Sequence, residues 1–270
     1  MSYRPLVFAH RGGADDNPEH TLGAYLRALE SGADGLECDV RLTRDGHLVC
    51  VHDRRLNRTS NGTGPVSART LAELDALDFG SWHPARPEED PDFTRLLTLD
   101  RLLEAVKASG REVRLLIETK HPSRYGAEVE HRLVDLLRKH DLTEARAEDR
   151  VRVTVMSFAA LALRRIRTLA PAIPTVYLLE IPPPGVSRGK LPFGARVAGP
   201  SIGLVRTRPA LVPALRAAGH QVYVWTVNTE RDLAIVLKHQ VDAVITDRPR
   251  FVLDHLGVPL PGDMSPDSVT

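Results

Sequence analysis

The 270-residue sequence predicts an α/β protein folded as a (β/α)8 (TIM) barrel, with a β-hairpin arm after strand 2 and a small insertion. Three observations carry that reading. Eight short apolar segments alternate with amphipathic helical ones, as β/α units in a chain of about 250 residues should. Residues capable of chemistry fall where those segments end, at His10, Glu37 and Asp39, Glu118, Ser157, Trp225 and Asp247, and a parallel barrel presents those ends as one face. No Gly-x-Gly-x-x-Gly follows the first strand, which disfavours the runner-up, an open doubly wound sheet.

Taken in order, Leu6-Val7-Phe8-Ala9 reads as a buried strand ending in His10-Arg11-Gly12-Gly13. A polar loop through Asp15, Asp16, Asn17 and Pro18 leads to a helix with Leu22, Tyr25, Leu26 and Leu29 on one face, closed by Gly32. Gly35 to Val40 is the next strand. Leu36 to Asp53 holds two apolar segments around an Asp45-Gly46 turn signal and reads as a hairpin or a tightly joined strand pair. From about Asn57 to Arg95 the pattern lapses into turn formers, with Asn61-Gly62-Thr63-Gly64-Pro65, Pro84, Pro87 and Pro91 around a helical candidate at Leu71, Leu74 and Leu77. So long an irregular connection is expected to be a functional lid rather than padding.

Alternation then resumes. Thr98 caps a helix carrying Leu99, Leu102, Leu103 and Val106, stopped by Gly110. Val113 to Ile117 is a strand ending in Glu118-Thr119-Lys120, followed by a helix with Val129, Leu133, Leu136 and Leu137. Val151 to Met156 is a strand ending at Ser157, read as the cap of a helix with Leu161, Ile166 and Leu169. A weaker strand, Thr175 to Leu179, precedes a Pro/Gly-rich loop from Pro182 to Pro200, and Ser201 to Val205 is expected to re-enter the sheet. The helix with Leu211, Val212 and Leu215 ends at Gly219, and Gln221 to Thr226 is a strand containing Trp225. Asn228 caps a helix with Leu233, Val236 and Leu237, and Ala243 to Asp247 is the last strand.

Composition bounds the function. With 36 basic and 35 acidic residues the formal charge is +1, so no general pull toward nucleic acid or anionic membrane exists and any phosphate binding must be local. No apolar window approaches membrane-spanning length, and Met1 to Phe8 has no charged segment leading a long apolar run. A soluble cytoplasmic protein without stable membrane insertion is expected. Strand parity sends Cys38 outward and Cys50 inward, so no disulfide is expected, which suits a reducing compartment.

Within the hairpin, Glu37 and Asp39 share a face about 7 Å apart, and folding the second segment back brings His52 opposite them. Two carboxylates and an imidazole in an oily strand pair are costly without a metal or a charge partner. A barrel sets the ends of strands 1, 2 and 3 side by side, so His10, the Glu37/Asp39 pair and Glu118 surround one spot. Three carboxylates without a thiolate or a His-x-His pair make a hard oxygen site that favours one Mg2+ or Ca2+ over Zn2+. Arg11 and Lys120 add positive charge beside it, which suggests a phosphate bridging metal and cations.

These residues resemble the glycerophosphodiester phosphodiesterases, whose barrel is shared with phospholipase-C-like enzymes. The matching text is His10-Arg11-Gly12, Pro18-Glu19 before Thr21, Glu37-x-Asp39, Asp45-Gly46, His52-Asp53, Glu118-x-Lys120, Ser157-Phe158, Val224-Trp225-Thr226-Val227-Asn228 and Thr246-Asp247-Arg248-Pro249. It spans nearly the whole chain in the family's order. The resemblance implies Glu37, Asp39 and Glu118 as metal ligands, and His10 and His52 as the acid/base pair. It further implies that Arg11 and Lys120 bind phosphate and that Trp225 packs against glycerol. Residues 1–258 then form one barrel domain, with 57–95 a small insertion near the active site and 259–270, polar and Pro-containing, a frayed tail. One departure is visible: His20 stands where the family usually has Asn.

The implied activity is metal-dependent hydrolysis of a small-molecule glycerophosphodiester to glycerol 3-phosphate and an alcohol. Phosphodiester cleavage needs neutralised oxygens, an activated nucleophile and a protonated leaving alkoxide, and imidazoles exchange protons near neutral pH. Which histidine is acid and which is base stays open in the sequence, with His52 favoured as the first base. Two alternatives stand beside this reading. One is a lysophospholipase-D-like lipid phosphodiesterase, for which Phe79, Trp82 and Phe93 could form an apolar entrance; the other is a non-catalytic metal or phosphate-binding module. Trp225 reads equally as core packing, and Asp247 as a turn or cap residue. His83, His121, His131, His140, His220, His239 and His255 read as ordinary surface or boundary residues, and Arg164, Arg165 and Arg167 as a solvated helix face.

Overall fold

The computed structural model describes residues 3–261 apart from 86–89, 145, 147 and 184. Pro87 and most of the tail expected to fray lie outside these residues. Eight parallel strands close into a barrel: β1 (Leu6–His10), β2 (Gly35–Leu42), β4 (Val113–Thr119), β5 (Val151–Ser157), β6 (Thr175–Leu179), β7 (Val197–Pro200), β8 (Gln221–Val224) and β9 (Ala243–Thr246). Closure comes from β1, which pairs with β2 on one side and β9 on the other. The ninth strand, β3 (Leu48–Cys50), lies outside the barrel and pairs antiparallel with β2, Val40 opposite Cys50.

Alternation along each strand divides the apolar residues into two compartments. Phe8, Leu116, Met156, Val176, Leu178, Tyr223 and Ile245 fill the barrel. The opposite faces, such as Ala9, Leu36, Cys38, Val40, Leu115, Ile117, Val153 and Val155, pack against the surrounding helices. The helices are α1 (Leu22–Glu30), α2 (Leu71–Asp75), α3 (Leu99–Ala108), α4 (Glu128–Lys139), α5 (Ala160–Leu169), α6 (Ile202–Thr207), α7 (Leu211–Ala217), α8 (Glu230–Lys238) and α9 (Pro249–His255). Among the described residues, no helix is long and apolar enough to cross a membrane.

Several local expectations are corrected. Ser201 to Val205 is not a strand: β7 is the four residues before it, and Ser201 caps α6 by accepting from Leu204 N at 3.1 Å. The hydroxyl's local bond to the helix outweighs the β-like run of apolar residues. Ser157 does not cap α5; its hydroxyl donates to Thr119 O at 2.9 Å and ties the end of β5 to that of β4. Thr229, not Asn228, caps α8. Trp225 lies one residue past the end of β8. Cys50 shares a face with Val40 and hence with Cys38, so both thiols point into the helix-side core, where both are free.

Residues 57–95 contribute to a small separate core, in which Val66, Leu74 and Phe79 pack with Leu56 on Val49 and Val51. A capping box of Thr70 and Glu73 starts α2. The remaining histidines are less ordinary than expected, since His83 and His140 are buried and His140 meets Asp100 at 2.6 Å. The arginine face of α5 is likewise not wholly solvated, because Arg165 reaches the buried Glu130 at 3.3 Å.

Candidate active site

The C-terminal mouth of the barrel is assembled from strand ends. After His10 the chain turns through three left-handed residues, Arg11, Gly12 and Gly13, with φ of 52°, 89° and 85°. Gly12 is required there on two counts: its φ, and a Cβ that would stand 2.8 Å from the Ala24 Cβ on α1. The turn aims the Arg11 backbone N–H at Glu37 Oε2, 3.1 Å away. Glu37 and Asp39 face the barrel from β2, and the β2/β4 register sets Asp39 directly beside Glu118. The three carboxylates are buried, and one oxygen of each lies within 4.8 Å of the others.

Cations surround this trio. Lys120 Nζ lies 2.9 Å from Glu118 Oε1 and 3.3 Å from Asp39 Oδ1, while Arg11 Nε lies 3.1 Å from Asp39 Oδ2. Asp39 Oδ1 nevertheless receives no hydrogen bond. Burial and the neighbouring Asp39 push Glu37 well above the usual carboxylate range and Glu118 up to about 8. Asp39 moves the other way: against the effect of burial, Lys120, His20 and Arg11 hold it well below that range. Ionising all three carboxylates together is therefore costly here, and a further cation offsets that cost. An orphaned buried oxygen within an all-carboxylate set fits a hard divalent ion.

His20, the departure from the family's Asn, has a defined place. Burial holds its imidazole neutral. Its Nε2 lies 2.9 Å from Asp39 Oδ2, and its Nδ1 lies 2.8 Å from the Tyr25 hydroxyl. The ring donates through Nε2 to Asp39, fixing the carboxylate's orientation, while the Tyr25 hydroxyl beside Nδ1 donates to the Glu37 carbonyl at 3.1 Å.

The two histidines expected to act as acid and base border one cavity of about 210 Å3, together with Arg11, Glu37, Glu118, Lys120 and Trp225. Each is tied at Nδ1 to an aspartate, His10 to Asp247 Oδ1 at 2.6 Å and His52 to Asp53 Oδ1 at 2.7 Å. Each Nε2 is left for other work; that of His10 lies 3.9 Å from Glu37 Oε2. Burial, reinforced by Arg11 and Lys120, lowers His52 to about 4 against the opposing pull of Asp39 and Asp53. His52 is therefore neutral at pH 7. Apolar Met156, Leu178, Ile245, Phe158 and Trp225 form the other half of the cavity, the last two rings meeting edge to face at 5.5 Å.

Two contributors escaped the sequence reading as functional residues. Asp247, read as a turn or cap, is the partner of His10 and is itself held by Asn228 Nδ2 at 2.6 Å. Glu19, buried and lowered to about 2 by Arg58 and Arg11 despite desolvation, anchors both guanidiniums. Barrel closure was the available signal for Asp247, because it sets the last strand beside the first. The proposed lid does not line the cavity; among the described residues of 57–95, Arg58 approaches it, bonding Asp53 Oδ2 at 2.8 Å. The aromatic entrance expected from Phe79, Trp82 and Phe93 is also absent. Phe79 is buried in the insertion's own core, Phe93 is buried under Arg27, and Trp82 is not in the cavity wall.

A closed (β/α)8 barrel with two aspartate-tied histidines, two cations and a metal-fitting carboxylate trio at one mouth defines a barrel phosphodiesterase. Residues 10–251 match the Glycerophosphoryl diester phosphodiesterase family. The chain belongs to that family, and it is a glycerophosphodiester phosphodiesterase. A Mycobacterium tuberculosis relative named "Probable glycerophosphodiester phosphodiesterase 1" is 50% identical over 234 residues, covering 86% of this chain and 85% of the relative. A Bacillus subtilis glycerophosphodiester phosphodiesterase is 34% identical over 251 residues, covering 91% and 84%. Among solved structures, an Oleispira antarctica phosphodiesterase in complex with the product sn-glycerol-3-phosphate aligns with a TM-score of 0.79 at 27% identity, covering 94% of this chain and 97% of that one.

Proposed function

We propose that the chain hydrolyses glycerophosphodiesters to glycerol 3-phosphate and an alcohol, using one divalent cation, Mg2+ or Ca2+, and two-histidine acid/base catalysis. One observation carries this reading: His10 and His52, each fixed by its own aspartate, border the same cavity as Glu37 and Glu118 of the buried carboxylate trio. The glycerol 3-phosphate held by the Oleispira antarctica relative supports the assigned product.

Glu37, Asp39 and Glu118 are the residues that would hold the ion, which when bound would supply positive charge to offset that of the phosphate oxygens. Arg11 and Lys120 bind the phosphate from the side, and Trp225, with Phe158, packs against the glycerol carbons. Neutral His52, its Nδ1–H donated to Asp53, takes a proton at Nε2 from the glycerol 2-hydroxyl or from water. The oxygen attacks phosphorus, the bond to the departing alcohol breaks, and His10 Nε2–H gives that oxygen its proton. If the 2-hydroxyl attacks, a cyclic phosphate forms and water opens it. Asp247 holds the His10 ring through Nδ1, which leaves Nε2 turned toward the substrate. Residues 1–258 serve as one barrel domain, in which 57–95 braces His52 through Arg58. The two free, buried thiols suit a reducing, cytoplasmic setting.

Separate His10→Ala and His52→Ala variants, assayed for glycerol 3-phosphate release from glycerophosphocholine, test the scheme. Each should lose roughly 10²–10⁴-fold in kcat. A diester with an activated leaving group should recover turnover in His10→Ala and leave His52→Ala impaired. Near wild-type turnover of the natural diester by either variant ends the two-histidine scheme.

A further inference from the structure

One charged side chain in the wall of the catalytic cavity takes no part in the acid/base scheme. Glu180 follows β6, where Val176 and Leu178 face the barrel interior, and it is the next residue of that parity, reaching the cavity wall. Counting round the eight barrel strands, β6 lies four places from β1, so Glu180 stands across the mouth from His10 and Arg11. It is exposed, and it makes no hydrogen bond or ion pair among the described residues. The other acids that line the cavity, Glu37 and Glu118, belong to the carboxylate trio.

Around Glu180 the wall offers little to a hydroxyl. Met156, Leu178 and Ile245 are apolar, Phe158 and Trp225 present rings, and the Trp225 Nε1–H is already donated to Gly199 O at 2.7 Å. A diester with its phosphate on Arg11 and Lys120 and its glycerol carbons on the two rings has its 2-hydroxyl at the reacting centre. Its other free hydroxyl, on the carbon farthest from phosphorus, then enters the apolar half and needs a partner there. A carboxylate is a stronger acceptor for an O–H than a neutral oxygen. Among the described residues lining that half, Glu180 is the polar side chain whose bonding capacity is unspent.

We propose that Glu180 is a specificity-determining residue, which accepts a hydrogen bond from the distal glycerol hydroxyl and so selects deacylated glycerophosphodiesters over their monoacyl forms. The inference rests on the reading of this mouth as a glycerophosphodiester site and adds which glycerol that site takes. Acylation of the distal oxygen removes the O–H donor and sets an ester oxygen, itself an acceptor, against a carboxylate. A site that bonds a substrate hydroxyl rejects the analogue lacking it, because its own polar group is left unpaired. Glu180 is exposed, so water softens that penalty, and the discrimination is about tenfold, the low end for a hydrogen bond to a charged group. Ile181, 85% exposed beside it, is the apolar feature a fatty chain would use, and a rim built for such a chain predicts the opposite preference.

Choline release is the readout, compared across glycerophosphocholine, its analogue lacking only the distal hydroxyl, and a short-chain monoacyl glycerophosphocholine held below its micellar concentration. In the native chain supplied with Mg2+ or Ca2+, kcat/KM should fall about tenfold from the first diester to each of the others, chiefly through KM. Glu180→Leu should bring the intact diester down to the deoxy analogue, so that the two become equal. Glu180→Gln, which keeps an acceptor oxygen without the charge, should fall between. Circular dichroism verifies folding, and if Glu180→Leu does not fold, Glu180→Gln carries the same comparison. Equal kcat/KM of the native chain on glycerophosphocholine and the deoxy analogue, a preference for the monoacyl diester, or an unaltered preference in the folded variants would overturn the inference while leaving the diesterase reading intact. No choline release from any of these substrates by the native chain would instead overturn that reading, and the inference with it.

Discussion

Asp39 is the residue on which every charge in the mouth bears, touched by Arg11, Lys120 and His20 at 3.1, 3.3 and 2.9 Å. Its shared face with Glu37 was legible from strand parity; its role as candidate ligand needed Glu118 at the neighbouring strand end and the family resemblance as well. The partners of the histidines were not legible in that way. Asp53 is adjacent to His52 in sequence, but Asp247 is 237 positions from His10 and meets it only because the sheet closes. Asp247→Asn should lower kcat by roughly 10²-fold, with little change in KM, by removing the charge that fixes the His10 ring. Steady-state kinetics on glycerophosphocholine check this, and an unchanged kcat would detach Asp247 from the reaction. His52 gives a pH signature of its own. Its folded value of about 4 lies below the ordinary 6.5, so the unfolded chain binds the extra proton between those limits and stability must fall as pH drops from 6.5 toward 4. His52→Gln should flatten that part of the Tm–pH curve.

Among elements, the β2–β3 hairpin does the most to build the site, because it carries two carboxylates on one strand and delivers His52 from the end of the other. The Asp45-Gly46 signal located its turn correctly, and Gly46 takes φ of 84° there. Register was the illegible part. Cys50 was assigned the wrong face because parity within a strand says nothing about pairing across a turn of unknown length. Ser201 and Ser157 show the same limit on smaller elements: a hydroxyl's partner, not the apolar run around it, decided which became a helix cap. The insertion acts as a brace rather than a cover. Arg58 bonds Glu19 and Asp53 together, so Arg58→Ala should cost about tenfold in kcat, the lower end of what outer partners of such sites contribute, with the fold intact by circular dichroism. At the first turn, Gly12→Ala should destabilise by about 1–3 kcal/mol through its φ of 89° and the Ala24 contact, measured by chemical denaturation.

For the molecule as a whole, the eight-unit count and the gathering of polar residues at strand ends were enough to anticipate a barrel, because closure is the arrangement that brings His10, Glu37, Asp39 and Glu118 to one mouth. The electrostatic state of that mouth required coordinates. Glu118 has a folded value of about 8 against an ordinary 4.5, so in the metal-free chain its contribution to stability is present below pH 4.5 and is lost as pH rises through 8. Above pH 6.5 the opposing effect of His52 is over. Metal-free protein should therefore lose Tm between pH 6.5 and 8, while added Mg2+ or Ca2+, favouring the ionised carboxylates, should raise Tm more at pH 8 than at pH 6.5. The most direct test is glycerol 3-phosphate release from glycerophosphocholine by exhaustively chelated protein, retitrated with Mg2+, Ca2+ or Mn2+. Release should stop on chelation and return with one equivalent of ion per chain. Undiminished release from the chelated protein would contradict a cation held by Glu37, Asp39 and Glu118.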